Sequence, residues 1–204
     1  MKSKSLMCLK ADVYRYEKSY HWRKIIKNAL FNTTFRPIFT LRMCQHFAEK
    51  NTVLSRALLL IFKILHRCAC KKNGVLLRWR TKIGPGFALI HGWGTVISSK
   101  AVIGSNVTVF HGVTIGTKHK MLENGERIAG FPVIKNDVWI GTNSVIIGEV
   151  SIGEGSKIAP LSMVINNVDA HTTIGCNPQR ILSENSTEDV YNKVSMEYIE
   201  KHCI

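Results

Sequence analysis

The chain has 204 residues, 45% of them apolar, and a net charge of +14 from 28 Lys and Arg against 14 Asp and Glu. That length and apolar content suffice to bury a core as one domain, or one domain with an appendage, so the protein is globular. The charge is segregated: residues 1–82 hold nineteen Lys and Arg against only Asp12, Glu17 and Glu49, and the remainder is slightly acidic. This argues against a chain-wide nucleic-acid-binding surface.

Up to about residue 73, Gly and Pro are scarce and apolar residues recur at three- and four-residue intervals, as in Trp22, Ile25, Ile26 and Leu30, then Leu41, Cys44 and Phe47. This spacing predicts helices, with breaks at Asn32 to Pro37, where Pro37 disfavours a helical Arg36, and at Asn51-Thr52. The most apolar run, Ala57 to Leu65, contains Lys63 and is far shorter than the roughly 20 residues of a spanning helix. The six cysteines lack paired CxxC spacing and no signal-peptide pattern opens the chain, so a reduced, cytoplasmic protein is expected.

From Ile83 the period becomes six. Aliphatic residues stand at Ile83, Leu89, Ile97, Ile103, Val109, Ile115, Ile134, Ile140, Ile146, Ile152, Ile158 and Val164, with two slips: two extra residues before Ile97 and a longer excursion from about Lys118 to Pro132. Small or β-branched residues follow four positions later, among them Ala101, Val107, Val113, Val138, Ser144, Val150, Ser156, Ser162 and Val168. Gly or Ala often comes directly after the aliphatic residue, as at Gly84, Gly104, Gly116, Gly141, Gly153 and Ala159, and is expected to serve corners with unusual backbone angles. Each six-residue unit is then one side of a triangular coil, and three units make a turn. The expected organisation is a basic helical region over 1–74, a β-helix over 75–182 and a C-terminal tail over 183–204.

The aliphatic positions only fill a core, so chemistry has to come from the interruptions. His91 lies two residues after Leu89 and His111 two after Val109, separated by one turn plus the two inserted residues. They are therefore expected on adjacent coils, about 5 Å apart in backbone. An imidazole, with an unperturbed pKa near 6.5, suits removal of a hydroxyl proton, so one histidine of this pair is the candidate base. Trp93 beside His91, and Glu126 and Arg127 in the polar excursion, are the candidate substrate contacts.

These residues resemble the hexapeptide-repeat acyltransferases, in particular serine acetyltransferases and the relatives that acetylate colanic acid and other exopolysaccharides. The resemblance rests on Lys82-Ile-Gly-Pro-Gly-Phe-Ala-Leu-Ile-His91-Gly, Ala101-Val-Ile-Gly, His111-Gly-Val-Thr-Ile-Gly116 and Thr173-Ile-Gly-Cys-Asn-Pro-Gln-Arg180-Ile, and more weakly on Ala11-Asp-Val-Tyr-Arg-Tyr16. It implies a mainly β fold, a left-handed parallel β-helix with a helical N-terminal region, assembled as a homotrimer with acetyl-CoA lying between subunits. By position it implies cofactor contacts at Gly116, Thr117, Gly141, Thr142, Ala159 and Pro160, with Arg180 or a nearby Lys for a CoA phosphate, and His91 as catalytic base. His111 or backbone N–H groups are the catalytic candidates for stabilising the oxyanion, and no metal is expected, because the spacing of His91, His111 and His119 does not match a zinc site of this architecture. Where the serine enzymes carry aspartates and an Arg-His pair, this chain has Leu76, Ile90 and Gly130-Phe131. The expected acceptor is therefore a sugar hydroxyl of a capsular, exopolysaccharide or O-antigen unit built on a lipid carrier, with the basic helices either resting peripherally on the inner membrane face or packing together at one end of the trimer. Serine acetylation for cysteine synthesis is the alternative, and a non-enzymatic nucleic-acid-binding module the remaining one.

Overall fold

A computed structural model describes residues 3–121, 123–175, 180–188 and 190–203. Four helices come first: α1 (Lys4–Glu17), α2 (Trp22–Phe31), α3 (Arg36–Ala48) and α4 (Val53–Lys72). The breaks at Asn32 and at Asn51-Thr52 fall as expected. A third, between Glu17 and Trp22, is closed by Lys18 in the left-handed region at φ 50°. α3 already starts at Arg36, because Pro37 occupies its first turn, where no N–H partner is needed. Thr52 caps α4 by accepting the Ser55 N–H at 3.1 Å. Among the described residues no helix is long and apolar enough to cross a membrane.

The rest is the left-handed parallel β-helix, mainly β with a helical N-terminal region. Its short strands stack into three parallel sheets. The first joins β1 (Leu76–Leu77), β4 (Val96–Ile97), β7 (Thr114–Gly116), β12 (Val145–Ile147) and β15 (Met163–Val164). The second joins β2 (Lys82–Ile83), β5 (Val102–Ile103), β10 (Val133–Ile134) and β13 (Ser151–Ile152). The third joins β3 (Ala88–Ile90), β6 (Thr108–Phe110), β11 (Trp139–Ile140), β14 (Lys157–Ile158), β16 (Thr173–Gly175) and an antiparallel β17 (Arg180–Ser183). The excursion is not an irregular loop but an exposed hairpin of β8 (Lys118–Met121) and β9 (Arg127–Gly130).

Register follows the six-residue reading. Val133 pairs with Ser151 and Trp139 with Lys157, one uninterrupted turn on. Ala88 pairs with Thr108, which absorbs the two-residue slip, and Val102 with Val133, which absorbs the hairpin. All twelve aliphatic positions are buried, as are the nine small or β-branched ones four residues later. Leu77 and Ile174 extend the same core at its two ends.

The glycines after the aliphatic positions have a different reason from the one expected. Left-handed backbone falls instead on Asn106, Asp137, Asn143 and His171 (φ 55–58°), residue types that include the usual non-glycine occupants of that region. Gly84 and Gly104 are needed for close stacking: a Cβ on Gly104 would lie 2.7 Å from the Lys135 carbonyl carbon of the next coil. Gly104→Ala is accordingly expected to cost about 1–3 kcal/mol through overpacking, read as a lowered midpoint in urea unfolding.

The helices cover the first coil. α1 sends Arg15 to the Gly86 carbonyl (2.6 Å) and the Thr108 hydroxyl (2.7 Å), and Arg42 of α3 donates to the carbonyls of Ile83 (2.8 Å) and Gly84 (2.6 Å). The chain returns through Val194, which exchanges hydrogen bonds with the Asn106 side chain, to α5 (Met196–His202), packed on α1 through Cys8, Ala11, Ile199 and Cys203.

Candidate active site

His91 and His111 follow β3 and β6, which pair in parallel with Leu89 opposite Val109 and Ile90 opposite Phe110. The two imidazoles therefore stand on adjacent coils, their ring centroids 6.5 Å apart and their planes at 68°. The two-residue slip leaves its mark in the backbone. The left-handed residue of this corner is Gly94 on the first coil and Gly112, Asn143 and Leu161 on later ones, and the first coil, which carries the two extra residues, adds a second one, His91, at φ 53°. A β-carbon in that region is strained, and such strain gathers where a side chain must be presented rather than packed. His91 is exposed beside the exposed Trp93, while His111 is half-buried, its Nδ1 buried without a hydrogen-bond partner among the described residues.

The strand leading to His91 is held from outside the coil. β3 is the edge of its sheet, so its outer backbone groups need partners from elsewhere. The Tyr16 hydroxyl supplies both, accepting the Leu89 N–H at 2.9 Å and donating to the Leu89 carbonyl at 3.0 Å. Burial pushes the Tyr16 phenol well above its ordinary range, and burial pushes the neighbouring Arg15 guanidinium down to about 10. Sequence reasoning missed Tyr16 as a contact of this strand, and Arg15 and Asp12 as contacts of Gly86 and Phe87 just before it. Their signal was the segment Ala11 to Tyr16, which belonged to the resemblance without an assigned role.

The cofactor positions separate into two groups. Gly141 and Thr142 follow β11, and Ala159 and Pro160 follow β14, whose Ile140 and Ile158 are paired. The Gly141 N–H donates to the Ile158 carbonyl and the Leu161 N–H to the Thr142 carbonyl, so these four lie along the same prism edge as the histidines, where the Asn143 N–H donates to the His111 carbonyl at 2.9 Å. Gly116 ends β7 and Thr117 follows it, on the next edge at the root of the hairpin, where the Thr117 hydroxyl meets the Ser98 hydroxyl at 3.1 Å. Arg180 is exposed at the start of β17; Cys176 to Gln179 of its motif lie outside the described residues. Glu126 and Arg127 are exposed at the hairpin tip, not brought to His91 within this chain. Phe131 lies under the Lys100 ammonium, 4.9 Å from the ring centroid.

A prism of stacked six-residue sides with paired histidines on one edge defines a hexapeptide-repeat β-helix, and residues 131–166 match the family model described as Bacterial transferase hexapeptide (six repeats). The particular likeness is to serine acetyltransferases. That of Bacillus subtilis (strain 168) is 39% identical over 113 residues, covering 55% of this chain and 50% of that one; that of Escherichia coli (strain K12) is 37% identical over 103 residues, covering 50% and 36%. The solved Neisseria gonorrhoeae serine acetyltransferase in complex with serine superposes with a TM-score of 0.65 at 29% identity, over 86% of this chain and 68% of that one. The chain spans about half the length of the first curated relatives it matches.

These likenesses overturn the expected glycan acceptor, and with it the polysaccharide-biosynthesis branch, and favour the serine alternative. The expectation rested on Leu76, Ile90 and Gly130-Phe131 replacing charged groups at fixed positions. It took those positions as the only sources of charge for an amino acid, whereas the hairpin presents Glu126 and Arg127 to solvent.

Proposed function

We propose that the chain is an acetyl-CoA-dependent serine O-acetyltransferase, with His91 as general base. The observation that carries this reading is the strained, exposed His91, held on an edge strand and facing His111, in a coil similar to serine acetyltransferases. The imidazole of His91 takes the proton of the serine hydroxyl as its oxygen attacks the thioester carbonyl. As the C–S bond breaks, the imidazolium returns the proton to the departing thiolate, giving O-acetylserine and CoA with no acyl-enzyme. The His111 imidazole, with its unpartnered Nδ1, orients His91 or donates to the developing oxyanion.

Acetyl-CoA lies along the edge formed by Gly141, Thr142, Ala159 and Pro160. In a homotrimer Gly116 and Thr117 of a neighbouring subunit close the other wall, and Arg180 meets a CoA phosphate. Glu126 and Arg127 carry charges opposite to serine's ammonium and carboxylate, and reach the acceptor from the hairpin of an adjacent subunit. The test is release of CoA thiol from acetyl-CoA by the purified chain. Turnover with free serine and none with simple sugars is expected; silence with serine in a folded protein that binds acetyl-CoA would sink the assignment.

A further inference from the structure

The outer face of α4 is the largest feature that the proposed chemistry leaves unused. Its inner side packs on α3: Phe62 stacks on Phe47 with centroids 5.3 Å apart, and the His66 ring meets the Thr40 hydroxyl at 2.9 Å. The opposite side carries Val53, Leu54, Leu60, Ile61, Ile64 and Leu65, from 47% exposed at Leu65 to 86% at Val53. They recur at three- and four-residue spacing, so they form one stripe along a 20-residue helix about 30 Å long. Contiguous apolar surface on that scale marks a contact with something other than water.

The charges decide between partners. α2 and α4 contain no Asp or Glu, and Arg56, Arg67, Lys71 and Lys72 are exposed around the α4 stripe. The three carboxylates of the basic region are engaged elsewhere: Asp12 with Arg42, Glu17 with Lys24 and Lys27 (3.0 and 3.4 Å), and Glu49 with the hydroxyls of Ser3 and Ser5. A second copy of this face would bring cations against cations with no carboxylate on either helix to offset them. An anionic bilayer meets both demands, since acyl chains accept the stripe and phosphate headgroups its flanks. We propose that α4 docks the protein peripherally on an anionic lipid surface. Arg23, Lys24 and Lys27 of α2 are poorer candidates for this role, because two of the three are already paired with Glu17.

The test is co-sedimentation of the full chain with vesicles of phosphatidylcholine alone or mixed with phosphatidylglycerol. Binding is expected only to the mixed vesicles, weakened about tenfold or more by Arg67→Glu with Lys71→Glu, and similarly by Ile61→Gln with Ile64→Gln. Circular dichroism checks folding, and the charge variants, placed on solvated positions, keep the test open if the glutamine pair fails to fold. No sedimentation of the wild type, or sedimentation indifferent to both pairs, would overturn the proposal. So would a smaller particle mass for the glutamine pair in sedimentation velocity, which would make the stripe a contact between copies of this chain.

Discussion

Replacing His91 by alanine is expected to lower kcat for CoA release by about 100- to 10,000-fold, the range a positioned general base supplies. Alanine alone would leave the result ambiguous, because His91 sits at φ 53°, where an alanine is strained and the corner could shift. His91→Asn removes the ambiguity. Asparagine tolerates left-handed backbone, so it keeps the corner while lacking a nitrogen able to take the proton. Equal losses from both variants, with circular dichroism unchanged, would assign the effect to the imidazole; recovery by asparagine would reduce His91 to a backbone role. Tyr16→Phe provides the graded comparison. It leaves the Leu89 N–H and carbonyl, two residues before His91, without their shared partner. A fall in kcat with KM for acetyl-CoA little changed is expected, since the phenol positions the base and lies inside the coil-to-helix contact.

The coil was legible because a solenoid repeats one local requirement. Each side needs the same inward aliphatic residue, so Ile134 through Val164 announce their burial without knowledge of any distant partner. The pairing of His91 with His111 followed from the same register plus the two-residue slip. What stayed hidden has no period. Asp12, Arg15, Tyr16 and Arg42 reach across dozens of residues to backbone atoms of the first coil, and nothing local in a helix says which carbonyl it will meet. The run from Ala57 to Leu65 was read only as too short to span a membrane, and nothing in it said that one face of α4 would remain uncovered. The acceptor was misread because a few side chains choose it, and Glu126 and Arg127, though singled out as substrate contacts, were not counted as partners for an amino acid's charges.

Removing the Asp12 carboxylate is expected to be the most destabilising single change, at about 3–5 kcal/mol, because it strands a buried cation. Arg42 is 2% exposed and Asp12 fully buried; the Arg42 Nε lies 2.7 Å from Asp12 Oδ2, while Asp12 Oδ1 accepts the Phe87 N–H at 2.9 Å. The remaining guanidinium donors go to the carbonyls of Ile83 and Gly84 and to Gln45, so one ion pair ties α1 and α3 to the open end of the coil. Asp12→Ala would leave the buried Arg42 guanidinium facing neutral carbonyls without its carboxylate. Asp12→Leu combined with Arg42→Met should be less damaging than either alone, since it removes both charges and refills the space, and a double-mutant cycle on thermal unfolding would measure the coupling. Simple additivity would mean that the pair is not the clasp. Coupling would extend to the site as well: Phe87 lies four residues before His91 on the edge the pair secures, so the single variants should lose turnover below their melting temperature, and the apolar double variant should recover part of it.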